Sequence, residues 1–184
     1  MRKLIYAINI TLDGCCDHTK GGPPGEEVLE SYTHLLQDAD VMVYGRKTYQ
    51  IMIPYWPEIA KNHSGTKAEN DYADVFDSMN KLVFSRTLES SENGKVRITH
   101  GDLKDEILKL KQESGKNILT GGVSLPSQLI QLGLVDEFRF VVRPEIVGEG
   151  RRLLDDVRLE KKLSLKLIES KIFDSGYALL RYSK

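Results

Sequence analysis

The stretch from Leu4 to Leu12 constrains this chain more than any other. Ile5, Tyr6, Ala7, Ile8 and Ile10 leave almost no polar position in it. A strand wetted on one face alternates apolar and polar residues, whereas one covered on both faces reads as a continuous apolar run. The stretch therefore predicts a strand deep in a sheet with helices on either side. Asp13-Gly14 then marks a turn.

The rest of the chain supplies those layers. Glu26 to Gln37 places Val28, Leu29, Tyr32, Leu35 and Leu36 on one helical face. Val41 to Tyr44 is a short buried strand, and Arg46 to Met52 a helix that Pro54 is expected to stop. Ile53 to Asp71, with Pro54, Pro57 and Gly65, reads as a long irregular connection of the kind that tends to be functional or mobile. Lys81 to Phe84 and Val96 to Ile98 are strands, and Leu103 to Gln112 an amphipathic helix. Asn117 to Thr120 is a strand, followed by a helix from Ser124 to Leu132 that Gly133 ends. Glu137 to Val142 is again a strand. Leu163 to Phe173 and Tyr177 to Tyr182 flank Asp174-Ser175-Gly176 as a hairpin. Strands alternate with helices and then dominate. The expected fold is α/β, a three-layer αβα domain over residues 1–184, with a mostly parallel mixed sheet closed by antiparallel C-terminal strands.

Composition narrows the partners. The net charge of −1 gives no global field for nucleic acid or an anionic membrane. No apolar run approaches membrane-spanning length, and the start, Met1-Arg2-Lys3, runs straight into a strand rather than a signal-peptide core. Cys15 and Cys16 are adjacent. A bridge between neighbours would be strained and would close no useful loop, so a reducing cytoplasm is expected. Neither their spacing nor that of His18, His34, His63 and His100 matches a metal site.

In sheets of this kind ligands gather at the carboxyl ends of the strands. One junction there is Tyr44-Gly45-Arg46-Lys47-Thr48, where a strand ends in glycine and a helix begins at once. Glycine lets the backbone approach a ligand, and the free N–H groups and dipole of a helix start favour an anion. Thr120-Gly121-Gly122 before the next helix repeats that arrangement, and Phe84-Ser85-Arg86-Thr87 puts an arginine able to grip a phosphate at a third strand end.

Taken in order, these segments resemble the dihydrofolate-reductase-like superfamily. Val142-Arg143-Pro144-Glu145-Ile146-Val147-Gly148-Glu149-Gly150 is similar to the closing segment of the reductase domain of bacterial riboflavin biosynthesis proteins (the RibD C-terminal domain family). The resemblance implies an NADPH-dependent reductase. It gives Gly45, Arg46, Lys47 and Thr48 to the pyrophosphate and adenosine side, and Ser85 and Arg86 to the adenosine phosphate. Gly121 and Gly122 border the pyrophosphate and nicotinamide, and the Ala7 backbone with the loop around Asp13 and Gly14 borders the nicotinamide. It also implies a homodimer.

On the substrate side the chain departs from both relatives. Dihydrofolate reductases carry an acid on the first helix. Glu26, Glu27 and Glu30 here lie off the apolar face, and Glu27 with Asp13 are the proton-donor candidates. Riboflavin reductases typically have a lysine where Ala7 stands, and an Asp-Asp-Pro segment where Arg46-Lys47-Thr48-Tyr49 stands. Tyr49, Tyr55 and Trp56 either line a pocket for a flat ring or pack the long connection. Arg151-Arg152 either face an anionic substrate or water. The expected activity is reduction of a flat nitrogen heterocycle, pteridine- or pyrimidine-like, related to 5-amino-6-(5-phosphoribosylamino)uracil reduction. The alternatives are dihydrofolate reduction proper and a non-catalytic nucleotide-binding domain.

Overall fold

β1 (Leu4–Thr11) pairs in parallel with β5 (Asn117–Thr120) on one side and β6 (Glu137–Arg143) on the other. The computed structural model describes residues 1–20 and 22–184. Beyond β5 lie β2 (Ala39–Gly45), β3 (Asn80–Phe84) and β4 (Val96–Thr99), all parallel. Beyond β6 lie β8 (Ala178–Ser183) and then β7 (Lys166–Ile172), both in antiparallel pairings. The sheet order is β4-β3-β2-β5-β1-β6-β8-β7.

Alternation along each strand sends side chains into two layers. Leu4, Tyr6, Ile8, Val43, Leu82, Ile118 and Phe138 pack with α4 (Leu103–Gln112) and α5 (Ser124–Gln131) through Ile107, Leu110, Leu125 and Leu129. On the other face Ile5, Met42, Tyr44, Val83 and Leu119 meet α1 (Glu26–Gln37) and α3 (Lys67–Ser78) through Leu29, Leu35, Leu36, Tyr72 and Phe76. The antiparallel edge is fixed by charge. Glu137, 1 % exposed, accepts from Arg181 at 2.6 Å and Arg139 at 3.2 Å. Burial alone would raise the Glu137 carboxyl, but those two guanidinium groups outweigh it and hold the group below its ordinary range.

The segment from Ile53 to Asp71 is not irregular. α2 (Arg46–Asn62) continues through Pro54 and Pro57, and α3 begins at Lys67. Each proline removes one helical hydrogen bond. The compensation is apolar: Met52, Ile53 and Trp56 pack against the α1–α3 layer, and Ile59 is buried. The start of α3 was readable, because Thr66-x-x-Glu69 is a capping box, and both of its hydrogen bonds are formed. Among the described residues, no helix is long and apolar enough to cross a membrane.

Candidate functional site

The parallel strands β1 to β6 all point their carboxyl ends to one edge, and the glycine junctions meet there. The Gly122 Cα lies directly beneath Thr48, so that a Cβ at Gly122 would collide with Thr48 Oγ1. Gly121 faces the Ala7 carbonyl oxygen, with 3.4 Å between that oxygen and a Cβ built on the glycine. Gly45 faces Leu125 at the start of α5. Two segments separated by more than seventy positions thus form one floor, with Ala7 at its centre.

The helix starts on this floor are open. Gly45 before α2 and Val123 before α5 provide no side-chain cap. The N–H groups of Gly122 and Val123 make no hydrogen bond among the described residues. By contrast α4, which starts at the same edge, is capped by Asp102, whose carboxylate accepts from Asp105 N at 3.0 Å. An open start attracts an anion, and an aspartate cap repels one.

The flank toward β3 and β4 carries the cations. Arg46 donates from Nη1 to Thr87 Oγ1 at 2.7 Å. Ser85 Oγ accepts from the N–H groups of Thr87 at 3.1 Å and Leu88 at 2.9 Å, which shapes the turn. The Ser85 carbonyl meets His100 Nδ1 at 2.7 Å. Arg86 and Lys47 are exposed and have no hydrogen-bond partner among the described residues. Arg46, Arg86, Thr87 and His100 therefore share one turn cluster. His100, at the end of β4, was not singled out from sequence, and its only signal was its place just past a strand.

The carboxylate candidates lie at this edge but are committed to structure. Asp13 accepts from Thr11 Oγ1 at 2.5 Å, Gly148 N at 2.9 Å and Val147 N at 3.4 Å. Chiefly through Thr11, its carboxyl is lowered to about 2. It anchors the 144–152 segment, which Cys16 also holds through its N–H on the Arg151 carbonyl at 2.8 Å. Glu27 accepts from the N–H groups of Ser175 at 3.1 Å and Asp174 at 3.3 Å, so it ties α1 to the β7–β8 turn, and those bonds lower its pKa. Neither presents an acidic proton at neutral pH. Glu26 and Glu30 are exposed.

The aromatic candidates divide. Trp56 packs on Tyr72, with ring centroids 4.4 Å apart. Tyr49 bonds Ser91 Oγ at 3.0 Å, and Tyr55 is 53 % exposed. Trp56 thus packs into the α2–α3 pair and is partly buried there. Arg151 and Arg152 do not simply face water. Arg151 donates to Ser124 Oγ at 2.9 Å and pairs with Asp156, and Arg152 lies 3.7 Å from Asp13. The half-buried Cys16 thiol is pushed up to about 11, chiefly by desolvation, and stays protonated at neutral pH. Both cysteines are free. A cavity of about 640 Å³ lies at the opposite edge, lined by Arg2, Gln37, Glu113 and Lys116 among others. None of the residues above reaches it.

A three-layer α/β sheet with open glycine junctions and clustered cations at its carboxyl edge is the architecture of the dihydrofolate-reductase-like superfamily. The RibD C-terminal domain family matches residues 2–179, and the chain belongs to it. It is 32% identical over 185 residues to the uncharacterized protein YyaP of Bacillus subtilis (strain 168), covering 98% of this chain and 94% of YyaP. Among solved structures it is similar to a candidate riboflavin biosynthesis protein from Shewanella sp. PV-4, with TM-score 0.74, 21% identity and 98% of each chain covered. It is also similar to the diaminohydroxyphosphoribosylaminopyrimidine deaminase/5-amino-6-(5-phosphoribosylamino)uracil reductase of Thermotoga maritima, with TM-score 0.69 and 16% identity. That match covers 99% of this chain and 56% of the other. The family is reductase-like, which supports an oxidoreductase at the level of the family.

Proposed function

We propose that the protein is an NADPH-dependent reductase of a flat nitrogen heterocycle, pteridine- or pyrimidine-like. One observation carries the reading: the Gly121-Gly122 turn and the Gly45–Thr48 helix start form a single open floor beside the Arg46–Thr87 cluster. The donor set suits a phosphorylated dinucleotide. The unbonded N–H groups of Gly122 and Val123, with Gly121 and Thr48 beside them, would hold the pyrophosphate. Arg46, Ser85 and Arg86, with Lys47 beside them, would hold the adenosine side and its phosphate. When bound there, the nicotinamide supplies a hydride to the heterocycle.

The chain's own residues orient and enclose. The Ala7 carbonyl and the Asp13-anchored 144–152 segment border the ring end and keep bulk water from it. Asp13 and Glu27 are ionised and engaged, so the proton comes from solvent rather than from a side-chain acid. Ala7 in place of the usual lysine supports a substrate other than the ribosylaminouracil phosphate.

Free thiols at Cys15 and Cys16 support a reducing, cytoplasmic setting. A second copy of the chain is the proposed partner. It is favoured by the exposed β7, where Leu167, Ile168 and Ile172 are 50 %, 48 % and 71 % exposed on an unpaired sheet edge. Titrating NADPH into the purified protein and following its fluorescence tests the cofactor reading. Saturable binding is expected, and no change at high micromolar cofactor would sink it.

A further inference from the structure

Tyr6 interrupts the apolar run of β1 with a hydroxyl. The residue is 1 % exposed, and its ring packs edge-on against Phe138 and Phe140, with centroids 6.4 Å and 6.3 Å away. A buried phenol needs a hydrogen-bond partner. Tyr6 finds it in the Gly122 carbonyl, to which its O–H donates at 2.8 Å. Burial above all holds the phenol well above its ordinary pKa, so the donor proton is present at any physiological pH.

That bond fixes a peptide plane. In a trans peptide the C=O and the following N–H point in opposite directions. With the Gly122 oxygen turned in toward Tyr6, the Val123 N–H is turned out of the core, toward the sheet edge. Gly122 has φ +87°, a conformation in which glycine is otherwise free to swing. Thr48 confines it from the α2 side, and Tyr6 confines it from below.

We propose that the Tyr6 hydroxyl is a positioning group for the cofactor: it locks the Gly122–Val123 peptide so that the Val123 N–H meets the pyrophosphate. This rests on the NADPH reading above. The adenosine half is held elsewhere, at Arg46, Ser85 and Arg86, and does not depend on Tyr6.

Calorimetric titration of wild type and Tyr6→Phe with NADPH and with adenosine 2′,5′-bisphosphate tests it. Phenylalanine keeps the ring packing and removes only the donor. The expected result is an NADPH Kd about tenfold weaker, the scale of one lost hydrogen bond. The bisphosphate Kd is expected to stay within about twofold. An unchanged NADPH Kd overturns the proposal, and so does equal weakening of both ligands. If Tyr6→Phe fails to fold, amide exchange on the wild type decides. NADPH, but not the bisphosphate, is expected to slow exchange at Val123, and no protection there overturns the proposal. Wild type binding neither nucleotide would remove the cofactor reading and this inference with it. Wild type binding both, with Tyr6→Phe indistinguishable from it, removes the inference alone.

Discussion

Thr48 closes over Gly122, and the contact joins the first helix turn of α2 to the glycine turn before α5. Any side chain at Gly122 would strike the Thr48 hydroxyl and also be strained at φ +87°. Gly122→Ala is therefore expected to cost about 1–3 kcal/mol of stability. Gly45→Ala is the contrast. Its Cβ would rest 3.5 Å from Leu125 Cβ, an ordinary contact, and Gly45 has φ −81°. Its denaturation midpoint is expected to stay near that of wild type. Urea unfolding of the two variants checks the difference, and equal midpoints contradict it.

Asp13 carries a pH signature. Its carboxyl is at about 2 in the fold, against ~3.9 in an unfolded chain. A depressed acid stabilises the fold above its unfolded pKa, and that contribution disappears as pH falls through the folded value. The 144–152 segment is thus expected to loosen between about pH 4 and pH 2. The Gly148 amide resonance should titrate near the lower value, and a midpoint near the ordinary carboxylate value contradicts the anchor. Asp13→Asn replaces one of the two acceptor oxygens by an N–H₂, which leaves either Gly148 N or the Thr11–Val147 pair without its acceptor. Protease cleavage in 144–150 is expected to rise at neutral pH.

Lys81 behaves in the opposite sense. It is buried under α3 and donates to the Phe76 and Met79 carbonyls at 2.7 Å and 2.8 Å. Burial lowers its pKa to about 8, against ~10.4 unfolded. Below the folded value both states carry the proton and the penalty is constant. Between about pH 8 and 10 the unfolded chain binds more protons, so stability rises with pH. A neutral amine still has two N–H groups for its two acceptors. The Tm advantage of wild type over Lys81→Met is expected to widen across that window in thermal melts. A constant difference contradicts it. At neutral pH the variant leaves those carbonyls without their donor, at about 1–3 kcal/mol.

The proposed homodimer uses the open β7 edge. Ile168→Lys with Ile172→Lys places two charges on that exposed strand. Light scattering at tens of micromolar is expected to show a wild-type dimer and a monomeric variant that still binds NADPH. A monomeric wild type contradicts the proposal.

Much of this fold was legible because burial leaves a trace in residue type. The continuous apolar run of β1 fixed its central place, and the Asp174–Gly176 turn fixed the antiparallel edge. The stretch after Met52 was misread because Pro54 and Pro57 suggest an end, while the packing of Trp56 on Tyr72 that overrides them is tertiary. The glycine junctions were visible one at a time. Their contact was not, since nothing local to Thr48 names Gly122. Asp13 and Glu27 looked like acids for the same reason. Their partners, Gly148 and Ser175, lie 135 and 148 positions away. Tyr6 was readable in principle, because a phenol in a buried strand requires an acceptor.

The claim that NADPH binds at this edge is tested most directly by comparing NADPH and NADH affinities of wild type and Arg86→Ala. Arg86 is exposed beside the Arg46–Thr87 contact and has no competing partner among the described residues, so its replacement disturbs little else. The account predicts that NADPH weakens by about tenfold or more, the scale of a charge-assisted phosphate contact, while NADH barely changes. Equal weakening of both cofactors, or no weakening of either, would contradict it.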